Sequence, residues 1–112
     1  MENEKITIQD FEKVDIRVGT IKTAEIFKEA KQPAYILTID FGKLGIKKSS
    51  AQITDRYLPA DLAGRQIIAV VNFPPKQIAN MMSECLVLGG LDEAGVSLLN
   101  TEFLLANGSK VG

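Results

Sequence analysis

The sequence contains no histidine, no tryptophan and a single cysteine among its 112 residues. Each shortage excludes a class of chemistry. Without histidine there is no imidazole general base and no Ser-His-Asp or Cys-His pair. A zinc site built from the usual nitrogen and sulfur ligands is excluded for the same reason. The lone Cys85 has no partner for an intrachain disulfide. It lies in the apolar run ECLVLGG and reads as a buried thiol. Such sparing cysteine usage suits a cytoplasmic chain. The segment MENEKITIQDF is acidic and has no apolar h-region, so no signal peptide is expected. No stretch approaches the roughly 20 apolar residues of a membrane span, and no membrane insertion is expected. The carboxylates are scattered. The expectation is a protein that is not an enzyme and uses no cofactor or metal.

What is present suits one globular unit. Hydrophobic residues make up 46% of the chain and charged residues 24%. That is enough apolar material for a single core, and one domain over residues 1–112 is expected. The net charge is −1, but the charge is unevenly spread. Residues 43–76 carry six basic side chains (Lys43, Lys47, Lys48, Arg56, Arg65, Lys76) against the acids Asp55 and Asp61. Phosphate responds to the local field more than to the total, so this basic middle third is the natural place for an anionic partner.

The pattern along the chain is mostly that of short strands. Thr7, with Asp10 three residues later, predicts a capped short helix carrying Ile8, Phe11 and Val14 on one face. It is too short to stand alone and should serve as a plug or a dimer element. IRVGTIKTAEI then alternates apolar and polar, with a one-step shift at Gly19 that predicts a bulge. AYILTIDF, IKKSSAQI, RQIIAVVNF, ECLVLGG and VSLLN read as further strands. KEAKQP and FGKLG are turns, and TDRYLPADLAG is one or two helical turns stopped at Gly64. Five or six strands with frequent turns fit a small closed barrel.

Three groups of residues carry candidate function. Lys47, Lys48, Ser49 and Ser50 are consecutive on a predicted strand. Lys48 and Ser50 should share one face, and Lys47 and Ser49 the other. Lysine beside hydroxyls suits phosphate, though a charged edge strand would look the same. NFPPKQIANMMSE reads as one loop. In it Asn72 could meet a base edge or ribose, Phe73 could stack on a base and Lys76 could meet phosphate. Alternatively Phe73 plugs the core, and Ile78, Met81 and Met82 cover the barrel end. The same loop could instead offer an adaptable groove for peptides, lined by Phe73, Pro75, Ile78, Met81 and Met82. Arg17 should pair with an acid such as Asp15 or Asp40. Tyr35 and Tyr57 read as packing residues.

DFEKVDIRVGTI, PAYILTIDFG, GIKKSSAQIT and GRQIIAVVNFPPKQIANMMSECLVLGG, in that order, resemble the tRNA-binding domain family. The KKSSAQIT and NFPP blocks are most similar to its CsaA branch. The resemblance covers about residues 10–112. It implies an all-β fold, an OB-fold five-stranded Greek-key barrel with a short N-terminal helix and terminal extensions that build a homodimer. It implies tRNA as the partner, read by shape and backbone. For the CsaA branch it also implies a chaperone role for unfolded preproteins, with the protein-export motor as a partner. By position it marks Lys47, Lys48, Ser49, Ser50, Asn72, Lys76, Ser83 and Glu84 as RNA-facing, and Arg65 more weakly. Similar sequences carry glycine just after the isoleucine of the NFPP loop, where this chain has Ala79 and Asn80. A left-handed turn there would suit Asn80 better than Ala79.

The expected function is therefore non-catalytic tRNA binding by a homodimer. The alternative is a chaperone that holds unfolded preproteins in an apolar groove. The apolar ends ITIQDF and EFLLANGSKVG have no obvious place in a five-stranded barrel, which is the residue-level motive for the dimer.

Overall fold

Thr7 opens the fold with a reciprocal cap. Its hydroxyl accepts from the Asp10 amide, and the Asp10 carboxylate accepts from the Thr7 amide, both at 3.1 Å. The helix that follows, α1, spans Ile8–Glu12 and buries none of its residues. The computed structural model describes residues 4–112. Within them α1 is no plug, because Ile8 and Phe11 face outward.

Alternating apolar residues then give β1 (Ile16–Ile26), β2 (Tyr35–Asp40) and β3 (Ile46–Ala51), joined as an antiparallel meander. A 3₁₀ turn at Gly42–Leu44 makes the second connection. Another at Pro59–Asp61 leads to Leu62, which is fully buried, and to Gly64 at φ 87°. Next come β4 (Gln66–Val70), β5 (Lys76–Ile78), β6 (Met81–Ser83), β7 (Leu86–Val87), β8 (Gly89–Asp92), β9 (Gly95–Leu98) and β10 (Lys110–Val111).

The main sheet runs β3-β2-β1-β4-β7, and this strand order curls into the five-stranded OB barrel. Its interior is filled by Ile21, Leu37, Ile39, Phe41, Leu62 and Ile67. Full burial of each contributes roughly 1.5–3 kcal/mol. Tyr35 and Tyr57 pack as expected. The Tyr35 hydroxyl donates to the Tyr57 carbonyl at 2.6 Å, and the Tyr57 hydroxyl accepts from the Leu98 amide at 2.9 Å. Arg17 pairs with Asp15 at 2.6 Å and also donates to the Gly108 carbonyl.

Several expectations are corrected. Ten short strands form among the described residues, where five or six are expected. The bend in β1 lies at Lys22, since pairing slips between Ile21 and Thr23. Gly19 is instead a packing necessity, because a Cβ there would stand 2.7 Å from Ile39 and Phe41 side-chain atoms. ECLVLGG breaks in two, with Leu88 donating to Ile68 before the chain turns into the β8–β9 hairpin. The stretch NFPPKQIANMMSE is no simple loop, since it holds the β5–β6 hairpin. Part of the C-terminal stretch does find a place in the barrel. β10 pairs with β1, and Val18 and Ser109 share a backbone bond of 2.9 Å.

The barrel closes unusually. No strand pairing joins β3 to β7 among the described residues. One backbone bond crosses the seam, from the Glu84 amide to the Lys48 carbonyl at 2.7 Å. Side chains do the rest. Glu84 Oε1 accepts from the Lys48 amide at 2.9 Å, and Ser83 Oγ accepts from the Ser50 amide at 3.1 Å.

Candidate nucleic-acid interface

The outward edge of β3 is where the candidate residues converge. Alternation along the strand leaves Lys48 exposed and Ser50 half-buried on the outer side. Lys47 and Ser49 take the opposite side. Ser49 is only 1% exposed, and its hydroxyl donates to the Cys85 carbonyl at 3.0 Å. It is a core residue, so its place among RNA-facing residues is corrected.

Three grooves meet at Ser50. One, of about 490 Å³, lies between the loop after β1 and the tip of the β5–β6 hairpin, with Lys31, Gln32, Gln52 and Ala79 on its walls. A second, of about 500 Å³, lies between that hairpin and the seam, with Phe73, Lys76, Ser83 and Glu84 on its walls. A third, of about 420 Å³, follows the seam toward Leu91 and Val96. Lys31 and Gln32 escape a motif search because KEAKQP reads only as a charged turn, and Gln52 because it follows the more conspicuous Lys47–Ser50 run. The available signal is topological, since the loops after strands one and four flank the binding face of an OB barrel.

The structure separates the sequence candidates. Lys48, Ser50, Lys76, Ser83 and Glu84 stand together around the hairpin and seam. Lys47 lies near Cys85 on the inner side of β3. Arg65 lies apart, with its guanidinium 5.3 Å from the centre of the Tyr57 ring, and it lines none of the three grooves. Asn72 also has a structural role. Its carboxamide oxygen accepts from the Asp15 amide at 2.9 Å and its nitrogen donates to the Lys13 carbonyl at 2.7 Å. Asn72 is exposed, and its carboxamide keeps one N–H and one oxygen lone pair beyond those bonds.

Phe73 is 53% exposed, so it is no core plug. Pro75 and Met82 are also exposed, while Ile78 and Met81 are half-buried. The left-handed residue of the hairpin turn is Ala79, at φ 51°, and not Asn80. It is the first residue of a two-residue loop, the position where glycine is favoured.

Two basic side chains pair with acids among the described residues, Arg17 and Arg56. Arg56 is neutralised by Asp92 at 2.9 Å, and that pairing holds the Asp92 carboxyl below its ordinary range. Lys47, Lys48 and Lys76 have no acidic partner among the described residues. Burial pushes the Cys85 thiol up to about 11, so it stays protonated and unreactive at neutral pH. Among the described residues no three His, Cys, Asp or Glu side chains gather into a metal-binding group. No described helix is long and apolar enough to cross a membrane.

Comparison with known proteins agrees with this geometry. Residues 16–110 match the family described as "Putative tRNA binding domain". The crystal structure of the chaperone CsaA of Bacillus anthracis str. Ames is 54% identical. It superposes with a TM-score of 0.92 over 97% of this chain and 100% of that one. A CsaA chaperone protein from Picrophilus torridus is also 54% identical, with a TM-score of 0.92 over 96% of this chain and 100% of its own. The methionine–tRNA ligase of Listeria monocytogenes serovar 1/2a is 31% identical over 111 residues, 99% of this chain. The chain spans only 17% of that ligase's length. The barrel, its seam grooves and the matched stretch of 95 residues between positions 16 and 110 lead to one assignment: the chain belongs to the tRNA-binding domain family.

Proposed function

We propose that this chain is a non-catalytic, cytoplasmic tRNA-binding protein that works as a homodimer. The observation that carries this is the placement of Lys48 on the outer side of β3 and Lys76 on the β5–β6 hairpin, both unpaired among the described residues. Unpaired lysines there attract phosphate wherever a backbone passes, and they position RNA without reading its sequence. The tRNA-binding family and the likeness to a stretch of methionine–tRNA ligase support the choice of tRNA. A single barrel of net charge −1 is a weak grip, so two barrels joined through their apolar ends serve better. Ile8, Phe11, Phe103 and Leu104 are the exposed side chains that support such a joint.

The test is a salt titration of tRNA binding. Lys48→Ala with Lys76→Ala should weaken binding to every tRNA. It should also flatten the log–log salt slope by roughly 0.7–0.9 for each phosphate no longer neutralised. Unchanged affinity and slope would remove the proposal.

A second reading is a chaperone for unfolded preproteins, with the protein-export motor as partner. The exposed Phe73, Pro75 and Met82 beside Ile78 and Met81 favour it, as does the likeness to CsaA chaperones. High salt separates the two, since apolar holding survives it and phosphate binding does not.

A further inference from the structure

Glu84 is out of place on a surface that attracts phosphate. It is half-buried, and no lysine or arginine among the described residues pairs with it. One carboxylate oxygen, Oε1, is held by the Lys48 amide at 2.9 Å. The other has no protein donor among the described residues. Ser83 is set in the same way. Its oxygen accepts from the Ser50 amide at 3.1 Å, and its own proton has no acceptor among them. Each side chain is anchored by one bond to β3 and keeps one hydrogen-bonding site to offer.

Both residues line the same slot of about 500 Å³, together with Phe73, Pro74, Lys76 and Leu86. That size is ordinary for a small-ligand site. Its walls thus supply an aromatic face, a fixed acceptor, a fixed donor and a cation. An unstacked nucleobase uses all four. Its face stacks on Phe73, an exocyclic amine donates to Glu84, a ring acceptor takes the Ser83 proton, and the attached phosphate meets Lys76. The positive charge of Lys76 and nearby Lys48 favours a nucleotide over a neutral aromatic side chain.

We infer that this slot holds one unstacked RNA base bearing an exocyclic amine, taking cytosine in preference to uracil. The inference rests on the RNA-binding reading and adds a base-specific element to it. Cytosine and uracil have the same size and differ where Glu84 would read them.

Short oligocytidylate and oligouridylate, titrated at low salt against the full-length protein, provide the test. The wild type should bind oligocytidylate about tenfold more tightly. Glu84→Gln keeps an amide oxygen for the Lys48 amide but turns the free oxygen into a donor. It should abolish or invert the preference while thermal stability holds. Phe73→Leu should weaken both oligonucleotides by about tenfold. Equal binding of the two by the wild type overturns the slot, as does an unchanged preference in Glu84→Gln. Failure of both oligonucleotides to bind overturns it too. So does a phenylalanine-bearing peptide that binds in their place and that they cannot displace. Whole tRNA measured alongside separates the two claims. Binding of tRNA with no cytosine preference removes the slot alone. A cytosine preference without tRNA binding supports the slot and removes the tRNA reading.

Discussion

The Asn72 carboxamide reaches 57 residues back along the chain to accept from the Asp15 amide at 2.9 Å. With its second bond, to the Lys13 carbonyl, it ties the end of β4 to the turn between α1 and β1. Asn72→Ala removes both bonds. The expected cost is about 1–2 kcal/mol in urea unfolding. The affinity and salt slope of tRNA binding should stay as in the wild type, whereas a base-contacting Asn72 would lower affinity in addition to this loss of stability.

Ala79 occupies a backbone conformation that disfavours any residue with a Cβ, at φ 51°. Ala79→Gly should therefore stabilise the protein by about 0.5–1 kcal/mol, relief of strain outweighing the added freedom of the unfolded chain. Thermal melting checks it. A drop in melting temperature would mean that the turn does not adopt this shape.

Leu104 is 85% exposed, so a charge there has little to disturb within one barrel. Leu104→Glu should leave the melting of a monomer intact but shift light scattering at micromolar concentration from dimer to monomer. Its affinity for tRNA should fall once the second barrel is gone. A variant that remains dimeric would place the interface elsewhere.

Cys85 gives a pH dependence. Its folded pKa of about 11 lies above the ordinary thiol value of 9.0, mainly because burial penalises the thiolate. The folded state therefore holds the proton more tightly. Its stabilising contribution is complete below pH 9 and is lost as pH rises through 11. Alkylation by iodoacetamide should be slow at pH 8 in the folded protein and fast in urea. Equal rates in both conditions would contradict the burial.

The first three barrel strands were legible because much of each has a wetter and a drier side, and β4, buried on both, because of its β-branched run. Alternation in IRVGTIKTAEI, YILTID and IKKSSA is the direct print of that asymmetry. Thr7 and Asp10 were equally clear, since a cap depends only on neighbours in sequence. The β5–β6 hairpin was hidden for the opposite reason. Its strands are three residues long and largely exposed, so they carry no periodic signal. Ser49 was misplaced, and the structural bonds of Asn72 went unseen, because hydroxyl and amide groups serve cores and ligands with the same chemistry. Only their tertiary partners, Cys85 and the pair Lys13 and Asp15, tell the uses apart. Lys48 and Lys76 could be singled out as basic residues, but the packing of the hairpin against β3 is a property of the folded chain.

The seam between β3 and β7 has a genetic consequence. A ladder of main-chain bonds is common to all residues and yields little to substitution. Here the Lys48 and Ser50 amides are satisfied by Glu84 and Ser83 side chains, so, beside the Ser49 bond to Cys85 and one backbone bond, the grip that closes the barrel is written in two codons. Those codons also line the slot beside Phe73. Selection on what the slot accepts and selection on how tightly the barrel shuts therefore act on the same pair of positions, and neither property can drift without the other.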